Sequence, residues 1–362
     1  MTSFKNQESH HLVHTHRPVS LFAFLSRTYP VFRVVPVHRC NPSNSYQDFS
    51  VILPSHESST RIASRSASSS QLCFDCQINI PIVLEMSSSA ELATTMNHNI
   101  ARAQSIHRER QLLALQTLYP GQGYSVENIA GSTTILSPSE FGRKLNHTYG
   151  FALDGKVTIE DLRKIEAAYE RNGNIPEVDM CEFADKSGFD LFSNHYTITG
   201  SQCEYRLFLA DFQPPPTSGD TIEIDIVGPE DHNAFVQASI DGFRSGGRPD
   251  ELLKVCAESA ASRSDTILFS ASIAGEIVGT AAMAMIETPD NKIVVLYCDS
   301  CLPSARGKGV HKALLLERLR VARDRGFDLA SATAREGSIS GRNMEKVGFK
   351  MTYVCTTYTK EH

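Results

Sequence analysis

Two hydrophobic periods share the chain from residue 97 onward, and upstream of it neither period is sustained. Over residues 99–118, Ile100, Ala103, Ile106, Arg110, Leu113 and Thr117 fall along one helical face, with Leu112 and Leu115 beside it, and Pro120-Gly121 stops the run. Residues 158–171 predict a second helix with the apolar set Ile159, Leu162, Ile165, Ala168 and Tyr169. Thr158 is its N-cap, Asp161 stands three residues on, and Asn172-Gly173 ends it. Short strands are expected at 177–183 and 202–210. The run Gln213-Pro214-Pro215-Pro216-Thr217-Ser218-Gly219 then reads as a stiff extended linker, because three prolines leave no donors for a sheet. Beyond it the pattern alternates. A strand at 221–227 is followed by helices at 229–243 and 249–261. Strands at 267–273 and 276–286 come next, joined by the tight turn Ala274-Gly275, and an apolar strand at 293–301 fits a sheet centre. The helix at 309–325 buries Val310, Ala313, Leu314, Leu316, Leu319 and Ala322 and is expected to turn Lys312, Arg318, Arg320, Arg323 and Arg325 to solvent. A strand at 329–333, a short helix at 340–347 and a last strand at 349–359 complete the chain.

The organisation expected is therefore residues 1–96 as a disordered or leader segment, an α/β domain at 97–212, the linker at 213–219 and a second α/β domain at 220–362. The first segment carries Ser runs, dispersed Pro and the histidines His10, His11, His14 and His16, read as solvated. Its first forty-odd residues hold Lys5, Arg17, Arg27, Arg33 and Arg39 against Glu8 alone, a composition compatible with a mitochondrial presequence; a natural start at Met86 or Met96 is the equal alternative. The compartment expected is the cytoplasm, or the mitochondrion if that segment is a presequence.

Charge and cysteine usage narrow the partners. With 35 basic and 41 acidic residues the net charge is −6, which argues against nucleic acid. The longest apolar candidate, 20–37, is broken by Arg27, Pro30, Arg33 and Pro36, so no membrane association is expected. Nine cysteines without a framework suit a reducing compartment. Cys298 and Cys301 have CxxC spacing, but on a strand they point to opposite faces, and no metal site is expected.

The chemistry concentrates in residues 294–311, where strand, turn, glycine-containing loop and helix start succeed one another through Leu302-Pro303-Ser304-Ala305-Arg306-Gly307-Lys308-Gly309-Val310-His311. Such a loop aims backbone N–H groups at one point, and the helix dipole adds partial positive charge there; a pyrophosphate is the natural ligand. Gly307 and Gly309 allow close backbone approach, and Arg306 and Lys308 add charge. The P-loop and dinucleotide fingerprints are absent.

The segment LPSARGKGVHKALL resembles the cofactor loop of the GNAT (N-acetyltransferase) superfamily, with Arg306 and Gly309 matching the family pattern. EGSISGRNMEKVGF, residues 336–349, resembles the family's second motif, a short helix that flanks the pantetheine arm. The resemblance covers 220–362 and implies a GNAT fold: α/β (α+β), a mixed central sheet flanked by helices. Residues 149–209 echo the same order with a loop, Leu153-Asp154-Gly155-Lys156-Val157-Thr158, that has lost its Arg, so the first half reads either as a degenerate GNAT-like half or as an unrelated α/β lobe.

For function, the resemblance implies an acetyl-CoA-dependent N-acyltransferase acting on a small-molecule amine. The cofactor would be held by Ser300, Cys301, Leu302, Arg306, Gly307, Lys308, Gly309, Val310, His311 and Asn343, and the oxyanion donor would be a backbone N–H among Ser300, Cys301 and Leu302. Asp299 is the candidate base, with Glu287 behind it. Two departures matter: His311 stands where the family has a small residue, and Met344 stands where many relatives carry the Tyr that protonates the departing thiolate. Tyr353 and Tyr358 are candidate replacements. The same two departures favour the rival reading, a non-catalytic acyl-CoA sensor.

Overall fold

The computed structural model describes residues 89–361, apart from 194, 215–221 and 289, together with a short antiparallel pair upstream, β1 (Val34–Pro36) and β2 (Phe49–Val51). Most of the predicted linker, and the expectations for the other residues before 89, lie outside the described residues. The body from Val83 to His362 forms one compact unit.

The predicted elements occur in order, with two unpredicted strands following the first helix. A long helix α1 (Ser89–Leu118) leads into β3 (Ser125–Ile129), β4 (Ser132–Leu136) and β5 (His147–Tyr149), then α2 (Ile159–Arg171), β6 (Glu177–Cys181), α3 (Lys186–Leu191) and β7 (Tyr196–Phe208). The second half runs β8 (Ile222–Ile226), α4 (His232–Arg244), α5 (Asp250–Ser262), β9 (Thr266–Ile273), β10 (Glu276–Glu287), β11 (Lys292–Cys301), α6 (Val310–Asp324), β12 (Leu329–Ala334), α7 (Ile339–Lys346) and β13 (Lys350–Lys360). Local signals explain many of the boundaries. Thr158 and Asp161 form a reciprocal capping box at the start of α2, and Ala274-Gly275 turns with both φ values positive, as a tight hairpin between right-twisted strands requires.

One sheet of eleven strands runs through both halves in the order β3-β4-β5-β6-β13-β7-β12-β11-β10-β9-β8. Only β5–β6 and β11–β12 are parallel. The order is palindromic apart from β8: each half ends in a strand that inserts into the other, β7 between β12 and β13, and β13 between β6 and β7. The fold class is the mixed α/β sheet that the resemblance implied, and the sheet is continuous across the predicted linker.

Helix α1 crosses one face, packing on β4 of the first half and on β10, β11 and α5 of the second. Its buried stripe differs from the predicted one. Ile100, Ala103, Gln104, His107, Gln111 and Leu115 are buried, while Leu113 is exposed. The helix lies over polar groups from both halves, so polar residues occupy its inner face: Gln104 bonds Glu204 and Ser331, and His107 meets Arg263. The opposite face carries the main core of the second half, where α6 and α7 cover Tyr205, Leu207, Val294, Leu296, Ala330 and Ala332. Arg318 corrects the other expectation. It is fully buried rather than solvated, because it succeeds Val310 and Leu314 at four-residue spacing and so shares their stripe.

Candidate active site

The site begins where two parallel strands stop pairing. β11 and β12 are paired from Ile293–Leu329 to Leu296–Ala332 and no further, although β11 continues to Cys301. On the other edge β11 stays bonded to β10, with a bulge that sets Cys298 and Asp299 against Ala281 alone. Cys298 takes φ +57 there, a strained value for a residue with a side chain. The bulge re-aims the end of the strand. Cys298 turns toward Ser239 of α4, with burial pushing its thiol up to about 11, whereas Asp299 turns toward α6. Cys301 packs with the α6 core, so the two cysteines of the CxxC lie on opposite faces. Among the described residues no His, Cys, Asp and Glu group is arranged to hold a metal ion.

The backbone at the fork can be assigned by alternation. Leu302 donates its N–H to the Val278 carbonyl at 2.9 Å, which commits it to β10. Antiparallel bonding alternates, so the Cys301 N–H turns to the opposite edge, into the space that β12 has vacated. Ser300 points to the α4 side, where its hydroxyl meets Thr280 at 2.7 Å and lies against Gly242, at which a Cβ would come within 2.6 Å of it.

From Leu302 the chain makes a short turn over Pro303–Ala305 and enters the loop. The Arg306 guanidinium bonds the Gly242 carbonyl at 3.3 Å and the Ser245 hydroxyl at 2.5 Å, tying the loop to the end of α4. Gly307 and Gly309 have φ +78 and +92, and an added Cβ at Gly307 would meet nothing within 4 Å. Glycine is therefore demanded by backbone conformation, and the space beside the loop is open. Lys308 is exposed and forms no ion pair with any described residue. Gly309 caps α6 with no side-chain acceptor, so the N–H groups of the first turn, Val310 and His311 among them, find no acceptor among the described residues. The equivalent helix start in the first half is closed by its own Thr158–Asp161 box, and the Ser187 hydroxyl accepts from the Val157 N–H. One helix start is therefore left without a side-chain cap, and the other is filled by the chain's own side chains.

Beneath the loop runs a chain of charged and polar groups. Buried Arg318 grips both oxygens of Asp299, at 3.1 Å through Nη1 and more closely through Nη2, and also bonds the carbonyls of Ala282 and Leu314. The His311 Nε2 lies 3.3 Å from Asp299 Oδ1, and its Nδ1 accepts from the Asn343 amide at 3.1 Å. Burial works to raise the Asp299 carboxyl, but Arg318 and His311 outweigh it and hold it below the usual range. Asp299, His311 and Asn343, each a separate candidate in the sequence, are thus brought into one contact chain. Arg318 is the member that its charge alone would place in solvent. Glu287 sits exposed at the far end of β10, paired with Lys292. Met344 is buried in the α6 core. Tyr353 bonds Tyr149 on the α1 face, and Tyr358 stacks on Phe192 in the first half.

Residues 234–349 match the model of the Acetyltransferase (GNAT) family. Among solved structures, the chain is similar to a GCN5-related N-acetyltransferase from Kribbella flavida at 16% identity, covering 70% of this chain and 95% of that one with a TM-score of 0.49. A GCN5-related N-acetyltransferase from Sphaerobacter thermophilus gives 16% identity, 72% and 91% coverage and a TM-score of 0.45. A tandem GNAT protein from the clavulanic acid biosynthesis pathway gives 12%, 56% and 69%, and 0.43. No curated protein sequence is significantly similar to the chain.

Proposed function

With a GNAT acetyltransferase domain at residues 234–349 as the premise, we propose that this protein transfers an acetyl group from acetyl-CoA to the amine of a small molecule by direct attack on the thioester. The observation that carries the reading is the uncapped start of α6 at Gly309, directly after a strand whose pairing has just opened. The pyrophosphate is taken by the N–H groups of Gly307, Gly309, Val310 and His311, with the Lys308 side chain supplying charge and Arg306 fastening the loop to α4. The thioester enters the fork between β11 and β12, where the Cys301 N–H faces the developing oxyanion.

Asp299 already answers two partners, and its ionised state is part of the loop's foundation. It positions His311, and through it Asn343, rather than removing the amine's proton. The acceptor arrives from the α1 and α4 face as a neutral amine, its proton passing to water. Calorimetry with CoA, and then free-thiol release from acetyl-CoA over a panel of small amines, tests the reading; absence of CoA binding by the folded protein refutes it. Met344, a thioether in place of a proton donor, supports the second reading of an acyl-CoA sensor, for which the same assays give tight binding and no turnover with any amine.

A further inference from the structure

Expulsion of the thiolate calls for a proton donor on the cofactor face of the fork, and β7 brings one there from the first half of the chain. Tyr205 pairs with Ala332, the last residue of β12 still bonded to β11, and with Met351 of β13, so it stands level with the mouth of the fork. Its ring lies on the α6 and α7 face, beside Ala332, Ala334 and Met344. The small side chains of β12 leave the ring room to rise toward α7. A Cβ at Gly341 would come within 2.8 Å of the Tyr205 oxygen, so α7 approaches the hydroxyl through a glycine. The residue is only 3% exposed, yet among the described residues its hydroxyl finds no hydrogen-bond partner. The oxygen itself keeps contact with solvent, so it is open to a ligand atom. Burial also pushes its pKa up, which keeps the phenol protonated.

We propose that Tyr205 is the catalytic proton donor to the leaving sulfur, supplied by the exchanged strand β7 instead of by α7. The assignment rests on the acetyl-transfer reading above. The amine nitrogen forms a bond to the thioester carbonyl carbon. On collapse of the tetrahedral intermediate the C–S bond breaks, its electron pair goes to sulfur, and the Tyr205 O–H proton is transferred to it, giving free thiol and amide. The phenolate recovers a proton from water, to which the amine has lost its own. The hydroxyl is bonded to no described residue and is reachable beside Gly341, and Met344, its neighbour on the same helix-covered face, has no proton to offer.

The test uses the full chain in three forms: wild type, Tyr205→Phe, and the protein with fluorotyrosine at 205, which keeps the shape and lowers the phenol pKa. Expected for Tyr205→Phe are CoA affinity within about twofold of wild type, unchanged KM and a kcat lower by roughly 10²-fold, with loss of the alkaline limb of the pH–rate profile. Fluorotyrosine keeps turnover and moves that limb to lower pH. Wild-type kcat in the Phe variant overturns the proposal. So does a fluorotyrosine protein whose profile does not move, whether or not the Phe variant folds, since a packing role is blind to phenol acidity. If wild type itself binds no CoA or releases no thiol with the amine panel, the acetyl-transfer reading falls, and the role of Tyr205 with it.

Discussion

At the residue scale, Gly309 answers a demand of the backbone and Asp299 the demand of a buried charge. Gly309 holds φ +92 at the mouth of α6. Valine there is strained on two counts, the left-handed backbone and the branched Cβ beside the open N–H groups. Gly309→Val is expected to lower CoA affinity more than tenfold in calorimetry while the far-ultraviolet circular dichroism of the sheet is retained. Asp299 is the counter-ion of a fully buried arginine. Asp299→Asn strands that charge, and loss of one partner of a buried pair costs about 3–5 kcal/mol, to be read as a drop in the urea midpoint. The sign with pH comes from the depressed carboxyl. Its contribution is fully present above the unfolded-state value and is lost as pH falls through the lower folded one, so the wild-type advantage over Asp299→Asn shrinks on strong acidification.

At the element scale, α1 is instructive because its inner face is polar. His107 and His147 are buried and held neutral: burial dominates for both, lowering His107 well below its ordinary value and His147 to about 3. As pH falls below about 6.5, the unfolded chain takes up protons at these positions and the folded chain does not. Stability is therefore expected to decline from about pH 6.5 downward, well before the carboxylates titrate. Thermal melts from mildly alkaline to acidic buffer measure it, and a profile that stays flat to about two pH units below neutrality contradicts it. The apolar periodicity of α1 was legible, but its rotation was not, since Glu204, Ser331 and Arg263 come to it from distant segments. The opposite happened in α6, where Arg318 reads as solvated from its charge and as buried from its spacing; spacing decided, because Asp299 waits beneath it.

At the scale of the whole molecule, the two halves complete each other. Each gives its last strand to the other's sheet, so a fragment of residues 222–362 leaves β12 and β13 without β7 between them. That fragment is expected to be unfolded or aggregated alone, through unpaired edges and an exposed apolar face, and to fold when co-expressed with residues 86–214; circular dichroism and co-purification report the outcome. A fragment that folds and binds CoA by itself contradicts the expectation. The described helices include none that is long and apolar enough to cross a membrane.

The sequence alone determined what depends on neighbours in the chain: the alternation of helices and strands, the capping box at Thr158, the turn at Ala274-Gly275, and the loop from Arg306 to His311 with its two glycines. These are set by local sterics, hydrogen bonding and periodicity, which act over a few residues. Tertiary structure alone decided what depends on which segments meet: the palindromic sheet, the ion pair of Arg318 with Asp299, the contact chain to His311 and Asn343, and the pairing of Tyr205, from the first half, with Ala332 where β11 and β12 part. Strand partners and buried charge pairs are fixed by packing between remote segments, and their physical signal exists only once those segments share a core.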